Sequence, residues 1–116
     1  MKAKFIAAAT ICALSLTGCL ESSEERSIRY CQDGKTAYPS VKELISQRLV
    51  APATAEFPSF DEVRHRYLGN CRHQFTGFLD SQNRAGAMLR LNYSITVKAQ
   101  PASERYSIES FDMNQR

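Results

Sequence analysis

The sequence predicts an α+β fold, with one N-terminal helix packed on an antiparallel sheet of about four strands. Three observations carry this expectation. A capped stripe of apolar residues with helical spacing covers residues 41–49. After Pro58 the apolar spacing drops from about 3.6 residues to 2. Clusters of turn-forming residues then break the chain at short intervals, which suits hairpins rather than long crossovers.

The elements follow in order. Gln32-Asp33-Gly34-Lys35 reads as a turn. Ser40 and Glu43 form a capping box, in which the hydroxyl accepts the third helical amide and the carboxylate reaches back. Val41, Leu44, Ile45 and Leu49 then lie on one side of a helix that Ala51-Pro52 ends. Residues 53–59 are a crossing loop with Phe57 as a plug into the core. A first strand over 60–68 puts Val63, His65 and Tyr67 on one face, and Gly69-Asn70 turns the chain. A second strand over 71–79 aligns Cys71, His73, Phe75, Gly77 and Leu79. The loop 80–86 consists of turn formers. In the third strand Leu89, Leu91, Tyr93, Ile95 and Val97 alternate with Arg90, Asn92, Ser94, Thr96 and Lys98. One buried face and one wet face is the mark of an antiparallel sheet. Gln100-Pro101-Ala102-Ser103 is the last turn, and a strand over 105–113 uses Tyr106, Ile108 and Phe111. The step from Ile108 to Phe111 breaks the alternation, so a bulge or an early strand end is expected there.

The 116 residues leave room for one small domain, and the absence of Trp leaves its aromatic packing to Phe and Tyr. The chain has 15 Lys and Arg against 12 Asp and Glu. Lys2 and Lys4 stand in the leader, so residues 19–116 carry 13 against 12, a formal balance of +1. A near-neutral domain has no electrostatic footprint for nucleic acid.

Lys2 and Lys4 precede about a dozen mostly apolar residues, the charged and apolar regions of a secretory leader. The run is shorter than the ~20 residues that a membrane-spanning helix needs. Leu16-Thr17-Gly18-Cys19 follows at once and resembles the lipobox of bacterial lipoprotein precursors. That resemblance implies cleavage between Gly18 and Cys19 and acylation of Cys19, palmitate included. Several acyl chains anchor a protein firmly to a bilayer, where one binds only reversibly. In the enteric-type sorting rule, Asp after the cysteine retains the product in the inner membrane, so Leu20 implies the outer membrane. The chain then divides into a leader (1–18), a flexible polar tether (19–30) and a domain (31–116).

Cys12 leaves with the leader and Cys19 takes the lipid, so Cys31 and Cys71 remain as a pair in an oxidising compartment. A disulfide between them is expected to staple the segment before the helix to the second strand. The same residues hold the one cluster that resembles a metal or thiol site: His65, Cys71 and His73. Zinc needs three or four convergent ligands, and an oxidised cysteine leaves only two histidines. Asp61 and Glu62 are adjacent in an expected strand, so their side chains diverge. Arg64, Arg66 and Arg72 form at most a small solvated basic patch. No GxSxG elbow and no phosphate-cradling glycine loop accompanies any nucleophile. The expectation is therefore no enzyme, no metal and no cofactor.

A further resemblance covers residues 47–97. Arg48-Leu49-x-Ala51-Pro52-x-Thr54-Ala55-x-Phe57-Pro58 and Asp80-Ser81-Gln82-Asn83-x-x-Gly86-Ala87-x-x-Arg90-x-Asn92-Tyr93 look like a small domain of uncharacterised bacterial and phage proteins. It implies that the 51–58 and 80–86 loops belong to one unit. The role that follows is a non-catalytic module, held to the bilayer through Cys19 and offered to another envelope protein or to the cell wall. One alternative is an accessory lipoprotein of a mobile element, for exclusion or receptor masking. The other is a small periplasmic enzyme around His65 and His73.

Overall fold

The alternation at residues 89–97 sets the sheet. In the computed structural model, which describes residues 22–115, this segment lies within β3 (Met88–Gln100). It is flanked by β2 (Arg72–Gln82) on one side and β4 (Arg105–Gln115) on the other, with β1 (Arg64–Gly69) beyond β2. All three pairings are antiparallel, and the sheet order is the chain order. Two helices precede the sheet, α1 (Ser23–Gln32) and α2 (Gly34–Ser46), so the class is α+β with one helix more than expected.

The start of α2 corrects the reading of the turn at residues 32–35. Asp33 is its N-cap: the carboxylate accepts from the Lys35 amide at 3.0 Å and from the Thr36 hydroxyl at 2.9 Å. Burial pushes the Asp33 carboxyl up, but these bonds hold it below its usual range. Ser40 therefore sits inside the helix rather than capping it. Gly34, Ala37, Tyr38, Val41 and Ile45 form one buried stripe at spacings of three and four. Pro39 lies on the exposed side of the same helix.

The expected tether (19–30) overlaps α1, so its residues 23–30 are helical. The reason is end chemistry, not an apolar face, since α1 buries no residue. Ser22 accepts from the Glu25 amide, Glu24 and Glu25 stand in the first turn, and Arg29 in the last, all matching the helix dipole. The last turn is held to the sheet by Tyr30, whose ring stacks on Tyr106 at 4.9 Å.

The helical stripe covers the inward face of the sheet. Phe75, Leu79, Ile95 and Val97 are fully buried beneath Val41 and Ile45, with Tyr38 and Tyr93 at the same layer. The outward face carries Arg72, Lys98, Arg90 and their polar neighbours. The bulge expected near 108–111 is present. Val97 pairs with Ile108 and Thr96 with Ser110, leaving Glu109 as the extra residue. Beyond it β4 continues to Gln115, with Phe111 and Met113 returned to the inward side opposite Ile95 and Tyr93.

The first strand is shorter than expected. Phe60–Glu62 is a 3₁₀ turn capped by Ser59 and Glu62, so Asp61 and Glu62 are not strand residues. The β1–β2 turn centres on Asn70-Cys71, one residue later than Gly69-Asn70, with both in the left-handed region at φ 53° and 62°. The 51–58 segment docks on β2 as one unit. Glu56 and Asp80 exchange two backbone bonds, and the Gln82 amide donates to the Thr54 hydroxyl at 3.0 Å.

Candidate functional site

Gly18 and Cys19, the expected cleavage and lipid sites, lie outside the described residues. Cys31, Cys71, His65 and His73 are brought together at the end of the sheet where α1 meets α2. Cys31 and Cys71 form a disulfide across 40 residues, with Cα atoms 4.5 Å apart. It ties the last turn of α1 to the β1–β2 turn. Its surroundings hold Cys71 firmly in its uncommon conformation. The Cys71 amide donates to the Tyr67 hydroxyl at 3.1 Å, and its carbonyl accepts from the Ala99 amide at 2.7 Å. The same Tyr67 oxygen lies 3.5 Å from the Cys31 sulfur.

Pairing geometry makes the two histidines neighbours. His73 stands opposite Tyr67, and His65 is two residues along β1, the diagonal position on the same face. His65 Nε2 and His73 Nδ1 are 2.8 Å apart, and His73 Nε2 is 2.7 Å from the Cys31 carbonyl oxygen. A carbonyl only accepts, so His73 carries its proton on Nε2 and presents a bare Nδ1 to His65. His65 must then donate from Nε2. A proton added to His73 would set two N–H groups against each other, whereas His65 can take one on Nδ1 without breaking the pair. Burial lowers the pKa of both rings; for His65 the neighbouring His73 adds to this, and Asp33 opposes it in both.

Both nitrogens of His73 are thus occupied, and the ring is fully buried. Among the described residues no group of three or more His, Cys, Asp and Glu is placed to hold a metal ion. The cluster can latch the junction of α1 and α2 onto β1 and β2. Gly34 is part of the latch, because the first residue of α2 sits directly on the His65 ring.

The basic patch is partly neutralised: Arg72 pairs with Glu109 at 2.7 Å, while Arg64 and Arg66 stay exposed on β1. Sequence reasoning missed a second polar cluster. Arg90 grips Asp80 through two bonds of 2.9 and 3.0 Å and lies 4.1 Å above the Phe78 ring. Their placement opposite each other in neighbouring strands was readable once the 83–87 hairpin was set in register. At the far end of the sheet Leu49, Val50, Leu89, Leu91 and Met113 line a shallow apolar cleft beside Arg48. Comparison of the chain with protein-family models, with curated proteins and with solved structures finds no match.

Proposed function

We propose that the chain is the precursor of a bacterial lipoprotein, cut before Cys19 and held to a membrane by acyl chains on that residue. Its α+β module acts as a non-catalytic binding unit in the cell envelope. One observation carries the reading: Leu16-Thr17-Gly18-Cys19 stands directly behind a leader with Lys2, Lys4 and a short apolar run. The Cys31–Cys71 disulfide supports it, since such bonds persist in oxidising compartments. Among the described residues no helix is long and apolar enough to cross a membrane. The histidine pair serves the fold: His73 is buried and both its ring nitrogens are hydrogen-bonded. Leu20 directs the product to the outer membrane, and its partner is another envelope protein or the cell wall.

Mass spectrometry of the chain purified from bacterial membranes tests the anchor. The expected species begins at Cys19 and carries diacylglyceryl and N-acyl mass, and Cys19→Ala abolishes both cleavage and palmitate labelling. An intact Met1, or an unacylated Cys19, would sink the reading. Cross-linking in intact cells followed by affinity capture tests the binding role, and repeated capture of no envelope component would count against it.

A further inference from the structure

The two edges of the sheet are treated differently. On one side β1 is six residues long, and the rest of the β2 edge is covered by the Glu56–Asp80 bridge and the Thr54 hydroxyl. On the other side β4 presents eleven residues with neither Pro nor Lys. Among the described residues, no backbone hydrogen bond leaves β4 for any element other than β3. A long open edge of this kind is a template for another strand. We propose that β4 pairs antiparallel with β4 of a second copy of this chain, joining two sheets into one of eight strands.

The free backbone groups restrict the register to alternatives two residues apart. The Ala99 amide bonds to Cys71, so the odd-numbered residues of β3 turn their backbone groups toward β2. The even-numbered residues turn theirs toward β4, and their partners Arg105, Ser107, Ser110, Asp112 and Asn114 are thereby used. Tyr106, Ile108, Phe111 and Met113 are left with N–H and C=O groups aimed outward. Placing Tyr106 against the partner's Phe111 matches two outward-facing residues, and the symmetry axis repeats the match.

In that register Arg105 stands opposite the partner's Asp112, and Ser107 opposite the partner's Ser110. The Arg–Asp pair occurs twice, in the closer, non-hydrogen-bonded type of site. Neither side chain has an ion-pair partner among the described residues. A slip of two residues would set the partner's Asp112 against Ser107 and leave Arg105 without a carboxylate. Charge therefore selects the register. The bulge at Glu109 falls at the symmetry axis, and its carboxylate is drawn onto the outward face by Arg72, clear of the edge. Tyr106 and Phe111, partly exposed in one copy, cover each other in two. The contact is isologous and closes on itself, so it makes a dimer and not a fibre.

The test is a charge exchange read by sedimentation equilibrium on the full chain in detergent. It does not depend on Cys19 being acylated, so its outcome is separate from that of the anchor. The wild-type chain is expected to dimerise. Arg105→Asp or Asp112→Arg alone should weaken dimerisation about tenfold, as two cross-strand pairs turn from attraction to repulsion. The double exchange should restore it. Far-UV circular dichroism and an intact disulfide check that each exposed-site variant is folded. A wild-type chain that remains monomeric, single variants that dimerise like wild type, or a double variant that fails to recover each overturn the proposal. An edge reserved for a different protein would give the first of these results.

Discussion

Replacing Gly34 by alanine tests the latch between α2 and the histidine pair. In an open helix this substitution stabilises by up to about 1 kcal/mol, because alanine is the better helix former. Here a Cβ at position 34 would lie 2.6 Å from His65 Nδ1 and closer still to two other ring atoms. Real Cβ contacts do not reach such distances, so the ring must move. Forcing a methyl group into a packed site costs about 1–3 kcal/mol. Displacing His65 also breaks its bond to the buried His73 Nδ1, and an unpaired buried acceptor costs about 1–3 kcal/mol more. The balance is a loss of about 3 kcal/mol, which in a domain of this size lowers the melting temperature by roughly 10–20 °C. Thermal unfolding followed by circular dichroism at neutral pH, with the disulfide intact, reads this directly. The companion variant His65→Ala opens the space, so adding Gly34→Ala to it should cost nothing and the two changes should be strongly non-additive. A single Gly34→Ala variant that melts at or above wild type would refute the reasoning.

Three further outcomes are expected. Replacing Cys31 and Cys71 together by serine releases a loop of 40 residues, and the chain-entropy relation gives a loss of about 4 kcal/mol; unchanged urea midpoints would contradict it. Because burial lowers the pKa of both His65 and His73, the unfolded chain binds protons first as the pH falls. Their contribution is complete above the unfolded histidine value of about 6.5 and declines below it until the folded rings also titrate. The variant with both histidines replaced by asparagine should flatten that decline, and an unchanged slope would assign it to other groups. Thr54→Val removes the hydroxyl that accepts the Gln82 amide, at a cost of about 1–2 kcal/mol. Hydrogen exchange at Gln82 should quicken, and full protection there would argue against the role given to the Thr54 hydroxyl.

Much of the sheet was legible because one strand alternates without interruption. Leu91 to Val97 fixes one buried face, and the skip between Ile108 and Phe111 marks the bulge in β4. The disulfide followed from compartment and parity. The helices were harder to read. The stripe of α2 begins at Gly34, but Asp33-Gly34 has turn chemistry and Pro39 has entry chemistry, so Ser40 looked like the cap. Tertiary packing overrides both signals: Ala37 and Tyr38 are buried in the core, Tyr38 stacks on Phe75, and Pro39 faces out. Helix α1 has no apolar stripe to detect, since its ends and the Tyr30 stack hold it. The histidine pair was visible as two residue types in neighbouring strands. Their 2.8 Å bond was not, because it depends on the register shift at Leu68 and on a backbone carbonyl from another element.

The covalent link between Cys31 and Cys71 has a mechanical consequence. A tug on the N-terminal end of the domain reaches Cys31 and passes through sulfur to the start of β2, a strand hydrogen-bonded on both sides. The intervening residues, α2 and the whole of β1 among them, are thereby short-circuited and carry none of the tension. Loading falls on β2, which is paired on both sides, and Gly34 and His65, inside the bypassed segment, are spared. Reducing the disulfide reroutes the strain through α2, so a chain pulled from its N-terminal end should yield at lower force once its sulfurs are parted.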